Sequence, residues 1–466
     1  MLRSLVGSEM CIRDRAEHDP VKAEALKPTL KKLLSYAQKH GAESADVIST
    51  HGRSLGIVVR QGQLEDVDNS EGKDIGLRVL IGKRQACVSS SDLSDKSLDL
   101  LAERAVAMAK LAPEDPYCGL APHESLATTS HELDVFDDNE LTPHMLKDRA
   151  RLVEKATLAV KGVQQAEGAS ASWTTSALYF MTSHGFSNGW RASRHALSVS
   201  AIAEENGAME RDYDAHSMRW IRDLKLTKEI GTIAGERAVN RLGSKQMNSG
   251  AYPVMFDRRV SAALINAFKG AITGPAIARG VSFLKESLNQ PIFGKDINII
   301  DDPLRKRGHA SRPWDGEGVA VTKRDLVKNG VLQDWMLNCA SARQLGLKTT
   351  GHASRGTSSP PGVGATNTYM MAGTKTPQKL LSEMNEGLLI TEMFGPSLNS
   401  NTGDYSVGVA GFKIENGERS YPVSEITIAG NLTEIYKTLI PANDLVFDRS
   451  TVAPSLLCEG ITIAGS

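Results

Sequence analysis

Residues 411–423 read GFKIENGERSYPV, and this stretch decides the fold class. Two strand-like runs flank Asn416-Gly417, a dipeptide that accepts the positive φ angles demanded by a two-residue type I′ turn. Asn329-Gly330 repeats the device between DLVK and VLQDWML. Two such hairpins predict a C-terminal region made largely of antiparallel strands. Within it, only TTGHASRGTSSPPGVG, 349–364, reads as a long flexible loop, and such loops in compact domains are more often functional than idle.

Moving toward the N-terminus, residues 252–256 read as a strand feeding a helix of small and apolar residues over 261–268, and a helix over about 228–242 stops at Gly243. Residues 163–226 alternate Ser, Ala, Trp, Tyr, Phe and Val, with glycine-rich turns such as Ser187-Asn188-Gly189, which fits antiparallel strands rather than parallel crossovers. Thr142-Pro143 supplies the cap and first position of a helix running to about Val160. The Pro- and Asp-containing stretch 113–139 reads as a surface connector. Before it, helices over 21–40 and Asp95–Leu111 bracket β-rich runs at 45–50, 55–60, 63–67 and 75–88, with turns at Gln61-Gly62 and Gly82-Lys83. The predicted class is α+β, with N-terminal helices on a small sheet followed by a mainly antiparallel β domain carrying a few helices. Four segments are expected: 1–15, an N-terminal α+β domain over 16–112, a connector, helix and strands over 113–226, and a β-rich domain over 227–466.

The segment 1–15, MLRSLVGSEMCIRDR, stands apart. One codon choice for Met10-Cys11-Ile12-Arg13-Asp14 is ATGTGTATAAGAGACAG, which resembles the transposon-end adapter of sequencing libraries, so the segment is expected to be adapter-derived and the native start lost. The whole chain has 466 residues, 41% hydrophobic, with 54 basic against 55 acidic side chains. A net charge of -1 gives no electrostatic funnel for nucleic acid, and no Lys/Arg cluster marks a membrane surface. No run approaches the roughly 18 apolar residues of a membrane span. Beyond Cys11, the cysteines Cys87, Cys118, Cys339 and Cys458 are widely spaced and form no C-x-x-C pair, so a reducing cytoplasm is expected.

Motifs for chemistry are scarce. A hydrolytic zinc site normally sets two histidines one helical turn apart beside a carboxylate base. His123-Glu124 and His131-Glu132 have no second histidine at three, four or five positions on, and they read as surface polar residues. There is no Gly-x-Ser-x-Gly elbow and no phosphate-binding Gly-rich loop, while Ser282-Phe283-Leu284-Lys285 matches Ser-x-x-Lys without its companion elements. Polar residues gather at Asp301-Asp302-Pro303, at 311–318 and at 399–404. Asp315 and Glu317 suit acid/base work or a hard cation, or they serve as turn formers. Arg312 beside Trp314 equally suits an internal ion pair over an aromatic face.

Three longer motifs add a resemblance. TGDYSVGVAGFKIENGERSYPVSEITIAGNL (402–432), YPVMFDRRVSAAL (252–264) and IIDDPLRKRGHASRPWDGEGVA (299–320) resemble signatures of the TldD/PmbA family, and the chain is similar to its PmbA, or TldE, branch from about Ala16 onward. The resemblance implies a TldD–TldE heterodimeric zinc metallopeptidase acting on unfolded or flexible peptides, with the metal held in the TldD-type subunit by an HExxxH helix and a later cysteine. In this chain the corresponding helix reads RRVSAALINAFKGA, without histidine, glutamate or cysteine, and Cys458 has no histidine partners in sequence. Leu, Ile and Phe cannot ligate Zn²⁺. The expectation is therefore a non-catalytic subunit with no cofactor of its own, zinc residing in a TldD-like partner. Its peptide contacts are expected among Arg312, Asp315, Glu317, Thr366, Asn367, Thr402 and Asp404. Two alternatives stay open: a self-sufficient hydrolase assembled from scattered residues such as His184, His309, Asp315, Glu317 and His352, or a peptide-binding module without any peptidase.

Overall fold

The computed structural model describes residues 22–129 and 131–465. The adapter-like segment 1–15 and the expected helix start at Val21 lie outside the described residues. The architecture is α+β with mostly antiparallel sheets, as the hairpin signals predict.

An antiparallel sheet of order β3-β2-β1-β4-β5-β6 forms the first half, from β1 (Ser44–Arg60), β2 (Gln63–Ile81), β3 (Arg84–Ser90), β4 (Val163–Thr182), β5 (Ser187–Glu205) and β6 (Ala208–Met218). Because side chains alternate across a strand, Val47, Ile57, Ala171, Tyr179 and Leu197 share one face. Helices α1 (Lys27–His40) and α2 (Asp95–Leu111) cover one end of that face, and α3 (Pro143–Leu158) and α4 (Thr227–Asn240) cover the other. The predicted Thr142 cap is present, accepting from the Met145 N–H, and Gly41 ends α1 at φ 106°. On the opposite face Ile48, Phe180 and Phe186 pack with Trp314 and Val319 of the second half.

Three local expectations are corrected here. The separate runs at 45–50 and 55–60 are one strand, since Gly52 and Gly56 remain in register with β2 and β4. Ser187-Asn188-Gly189 is not a turn: it lies in β5, where a Cβ on Gly189 would come within 2.4 Å of the Tyr179 ring. The reversal occurs instead at Gly185, φ 109°. The connector 113–139 does not merely cross the surface, for it buries Cys118, Ala121, Leu126, Leu133 and Val135.

In the second half, β7 (Gly250–Phe256) leads into α5 (Arg258–Ala271). β7 lies between the strands Gly387–Leu398, in parallel, and Leu456–Ala464, antiparallel. The hairpin Asp404–Glu415 and Glu418–Asn431 extends the sheet from Gly387–Leu398, and Glu418–Asn431 also pairs with Leu456–Ala464, so the sheet closes on itself. Asn416 and Gly417 adopt φ 53° and 78°, the positive pair that the type I′ reading requires. Against this sheet α5 buries Leu264, Ile265 and Phe268, and Phe268 meets Phe293 and Tyr436 edge-on. Short strands at Ile299–Asp301, Arg324–Lys328, Val331–Leu332, Thr368–Met370 and Thr451–Val452 form a further sheet.

Candidate functional site

A groove of about 570 Å³ runs along the outer side of α5. Asp257 starts the helix by accepting from the Arg259 N–H, and the helical period then divides the side chains. Leu264, Ile265 and Phe268 go to the core, while Arg259, Ala263, Asn266 and Lys269 line the groove. The facing wall is residues 391–394 of the Gly387–Leu398 strand. β7 accompanies that strand only as far as Ile390, so beyond it the strand has a partner, Asp404–Glu415, on one side alone. Its other edge offers backbone groups to an incoming extended chain.

Polar contacts fix the groove at the junction between the two halves. Arg259 pairs with Asp212 of β6 at 2.7 Å, and Arg241 binds Glu210 at 3.3 Å as well as Glu392. On the floor, the Lys269 ammonium donates to Thr451 Oγ1 at 2.5 Å, and burial pushes its pKa down. Two other places compare poorly as peptide seats. A recess of about 400 Å³ on the first sheet, around Thr50, Gly52, Ser54 and Ser176, is floored by β1 and β4, which already have neighbours on both sides. The outer edge of β2 over 63–74 is open, but it carries Glu65, Asp66, Asp68, Glu71 and Asp74, and dense charge on an edge discourages strand addition.

The residues singled out from sequence lie mainly in a buried seam elsewhere. The Arg312 guanidinium is buried and donates to the carbonyls of Ala353 (2.9 Å) and Gly364 (3.1 Å), clasping the ribbon formed by Ala353–Ser354 and Gly362–Val363. Asp315 accepts the N–H groups of Glu317, Val319 and Ala353, and burial together with the Glu317 charge pushes its carboxyl up. Glu317 accepts from the Cys339 N–H at 2.8 Å. Thr366 bonds Asp301 through both its N–H (2.8 Å) and its hydroxyl (2.6 Å). Burial alone would raise the Asp301 carboxyl, but His352, 3.4 Å away, and the Thr366 donors hold it at about 2. Asn367 ties Ala310 N, Asp302 O and Ser311 Oγ together and lines a small cavity beyond the groove. Thr402 and Asp404 bond each other at 2.6 Å in an exposed loop, with Asn431 completing the turn. His184 and His352 have both ring nitrogens engaged, whereas His309 leaves Nε2 buried without a partner.

The expected flexible loop is instead docked. Arg355 reaches Asp46 of β1 at 3.1 Å, and Thr357 packs so closely that a Cβ on Gly76 would lie 2.1 Å from its carbonyl oxygen. Cys458 is fully buried beside Thr438 Oγ1 at 3.2 Å, and burial pushes its thiol up.

Comparisons with known proteins agree with this architecture throughout its length. Models of the PmbA/TldA metallopeptidase match as domain 1 over 45–109, central domain over 136–242 and C-terminal domain over 249–465. The Metalloprotease PmbA of Escherichia coli O157:H7 is 35% identical over 449 residues, covering 95% of this chain and 97% of that protein. The chain belongs to the PmbA/TldD family. A PmbA homologue of Haemophilus influenzae is 31% identical over 97% of the chain and 99% of its own length. Among solved folds of the PmbA/TldD type, a Bacteroides thetaiotaomicron protein whose name suggests a modulator of DNA gyrase gives a TM-score of 0.87 at 26% identity, covering 95% of this chain and 99% of that one. TldE of Thermococcus kodakarensis shares the fold at a TM-score of 0.84 and 19% identity, with coverage of 94% and 100%.

Zinc, the metal implied for a metallopeptidase family, does not fit the groove of this PmbA/TldD chain. Its α5 wall presents a guanidinium, an amide and an ammonium, two of them cations that repel Zn²⁺. Among the described residues no group of three or more His, Cys, Asp and Glu side chains is placed to hold a metal ion. Nor is any helix among them long and apolar enough to cross a membrane. Sequence reasoning missed Arg259, Asn266, Lys269, Phe394 and Arg449 as groove residues, because the lining converges from segments far apart in the chain. The alternation of apolar and polar positions along 258–271 was the one available signal.

Proposed function

We propose that this chain is the non-catalytic subunit of a heterodimeric zinc metallopeptidase, pairing with a TldD-like subunit and shaping the channel that holds unfolded or flexible peptides. The observation that carries the reading is α5. It faces the groove with Arg259, Ala263, Asn266 and Lys269, a set without a zinc ligand, while the neighbouring strand edge at 391–394 remains open. Backbone pairing along such an edge supplies affinity with little side-chain selectivity, and a chain must be extended to use it. Folded proteins are thereby excluded, and the reaction itself is left to the partner's metal.

The experiment is reconstitution. The chain is purified alone and with a TldD-like partner, and zinc content and cleavage of a flexible peptide are measured for each. Zinc and cleavage are expected only where the partner is present. Stoichiometric zinc with robust cleavage in the isolated chain would overturn the proposal.

A further inference from the structure

The segment 448–451 separates the groove from the second, smaller cavity, of about 200 Å³, and Arg449 and Ser450 line both. Four cations, Arg305, Lys306, Arg307 and Arg449, face this cavity against one carboxylate, Asp223. Two of the cations are already matched. Arg307 pairs with Asp134 at 2.6 Å and with Asp223 at 2.9 Å, and Arg449 leans on Asp448 at 3.1 Å. Arg305 lies over the Phe447 ring, 3.4 Å from its centroid, and among the described residues neither Arg305 nor Lys306 has a carboxylate within ion-pair distance. His309 also lines the cavity, with Nε2 buried and lacking a hydrogen-bond partner. Burial, reinforced by the nearby Arg219 and Arg194 charges, lowers its pKa to about 4, so the ring is neutral near pH 7 and Nε2 is able to carry the single proton.

The cavity is rigidly built. Arg307 sits at φ 56°, a left-handed conformation costing a non-glycine residue about 1 kcal/mol. Its N–H is held by Leu133 O at 2.8 Å. A Cβ on Gly308 would fall 2.4 Å from Ser311 Oγ and 2.7 Å from Asn367 Nδ2, so any larger residue there would displace both side chains. The Arg219 guanidinium donates to the carbonyls of Gly308 and His309 and, at 3.0 Å, to that of Ser193. The backbone that carries the donors is thus fixed before any ligand arrives, which lowers the entropic cost of binding. With a volume below the roughly 300 Å³ of ordinary small-molecule sites, the space suits a carboxylate and a small side chain rather than a nucleotide.

We propose that this cavity receives a carboxylate of the extended peptide lying in the adjoining groove, with Arg305, Lys306 and His309 Nε2 as its donors. The proposal rests on the groove reading above and adds a substrate preference to it. The carboxylate comes from a free C-terminus or from an acidic side chain, and three forms of one fluorescently labelled flexible peptide distinguish these sources: free acid, C-terminal amide, and amide with a penultimate Glu. Binding to the full-length chain is followed by anisotropy. At least one carboxylate form is expected to bind about tenfold more tightly than the plain amide, the preferred form naming the source. The Arg305→Ala/Lys306→Ala variant is expected to erase that difference and leave the affinity for the amide unchanged. Equal affinity for all three forms overturns the cavity proposal while the groove reading stands. If no form binds, the groove reading fails, and the cavity is decided separately by titrating N-acetylglycine against the imidazole ¹⁵N resonance of His309. A saturable shift lost in the double variant supports it, and no shift overturns it.

Discussion

The seam between the two halves and the groove beside α5 both contain charges, and they treat polar groups in opposite ways. In the seam Asp46 is fully buried and serves two guanidiniums, Arg78 at 2.5 Å and Arg355 at 3.1 Å, while Asp315 satisfies three backbone N–H groups. In the groove a strand edge is left without a neighbour, and Asn266 and Phe394 are exposed. A buried charge that is fully matched holds structure together and has no capacity left for a ligand. An unmatched edge adds little stability and keeps its bonding groups for something that comes and goes. Polar density in a sequence motif is therefore accounted for in the seam by internal bonding.

The contrast makes the seam the costly place to cut. Asp46→Ala leaves the Arg78 and Arg355 guanidiniums buried without their carboxylate, and a loss of about 3–5 kcal/mol is expected in denaturant unfolding. An unchanged midpoint would break the contrast outright. Asp301 tests the same idea through pH. Its carboxyl is held at about 2, below the ordinary 3.8, so its contribution is complete above pH 4 and is lost as pH falls from about 4 toward 2. The shift corresponds to about 2 kcal/mol. Asp301→Asn should therefore destabilise the protein at pH 7 and flatten the acid limb of the stability curve; a variant with the parent's acid limb would show that other carboxylates govern it.

A smaller effect, about 1–3 kcal/mol, is expected for Gly76→Ala, whose new methyl would displace Thr357 and loosen the 353–363 ribbon. Hydrogen exchange should report this as faster opening around Arg355, and unaltered protection there would mean that the ribbon is not held by its close approach to β2.

Much of the fold was legible because its signals are local. Asn416-Gly417 and Asn329-Gly330 accept the positive φ of a tight hairpin, Thr142 caps a helix through its own side chain, and the Leu30, Leu33, Leu34 and Ala37 stripe marks the buried side of α1. What stayed hidden is pairing between distant segments. Nothing within 44–60 or within 163–182 announces that β1 and β4 are neighbours, and so one large sheet read as a small sheet and a separate group of strands. Gly189 was misread for a related reason: its lack of a side chain accommodates Tyr179, a residue of another strand. The family motifs were legible as sequence, yet Arg312 and Asp315 within them, like Thr366 outside them, bond internally. The motif over 252–264 supplies Arg259 and Ala263 to the groove but does not mark the open strand edge, which is a property of which partner ends first.

Lys269 gives the finest test of the comparison, because it is the groove residue that most resembles a reactive group. It donates to Thr451 Oγ1, and burial lowers its pKa, the combination found where a lysine serves as a base. If the groove only holds peptide, Lys269→Met replaces a desolvated ammonium with an apolar side chain of similar length, and stability should change by no more than about 0.5 kcal/mol. The sign follows from linkage: a depressed lysine pKa means that the fold disfavours the charged form, so any gain from the variant is present at neutral pH and is lost as pH rises past 10.5, above which the lysine is neutral in either state. Peptide cleavage by the reconstituted pair should then stay within a few-fold of the parent. A loss beyond about a hundredfold, with zinc content and folding intact, would give Lys269 a chemical role and make this chain a direct participant in the reaction.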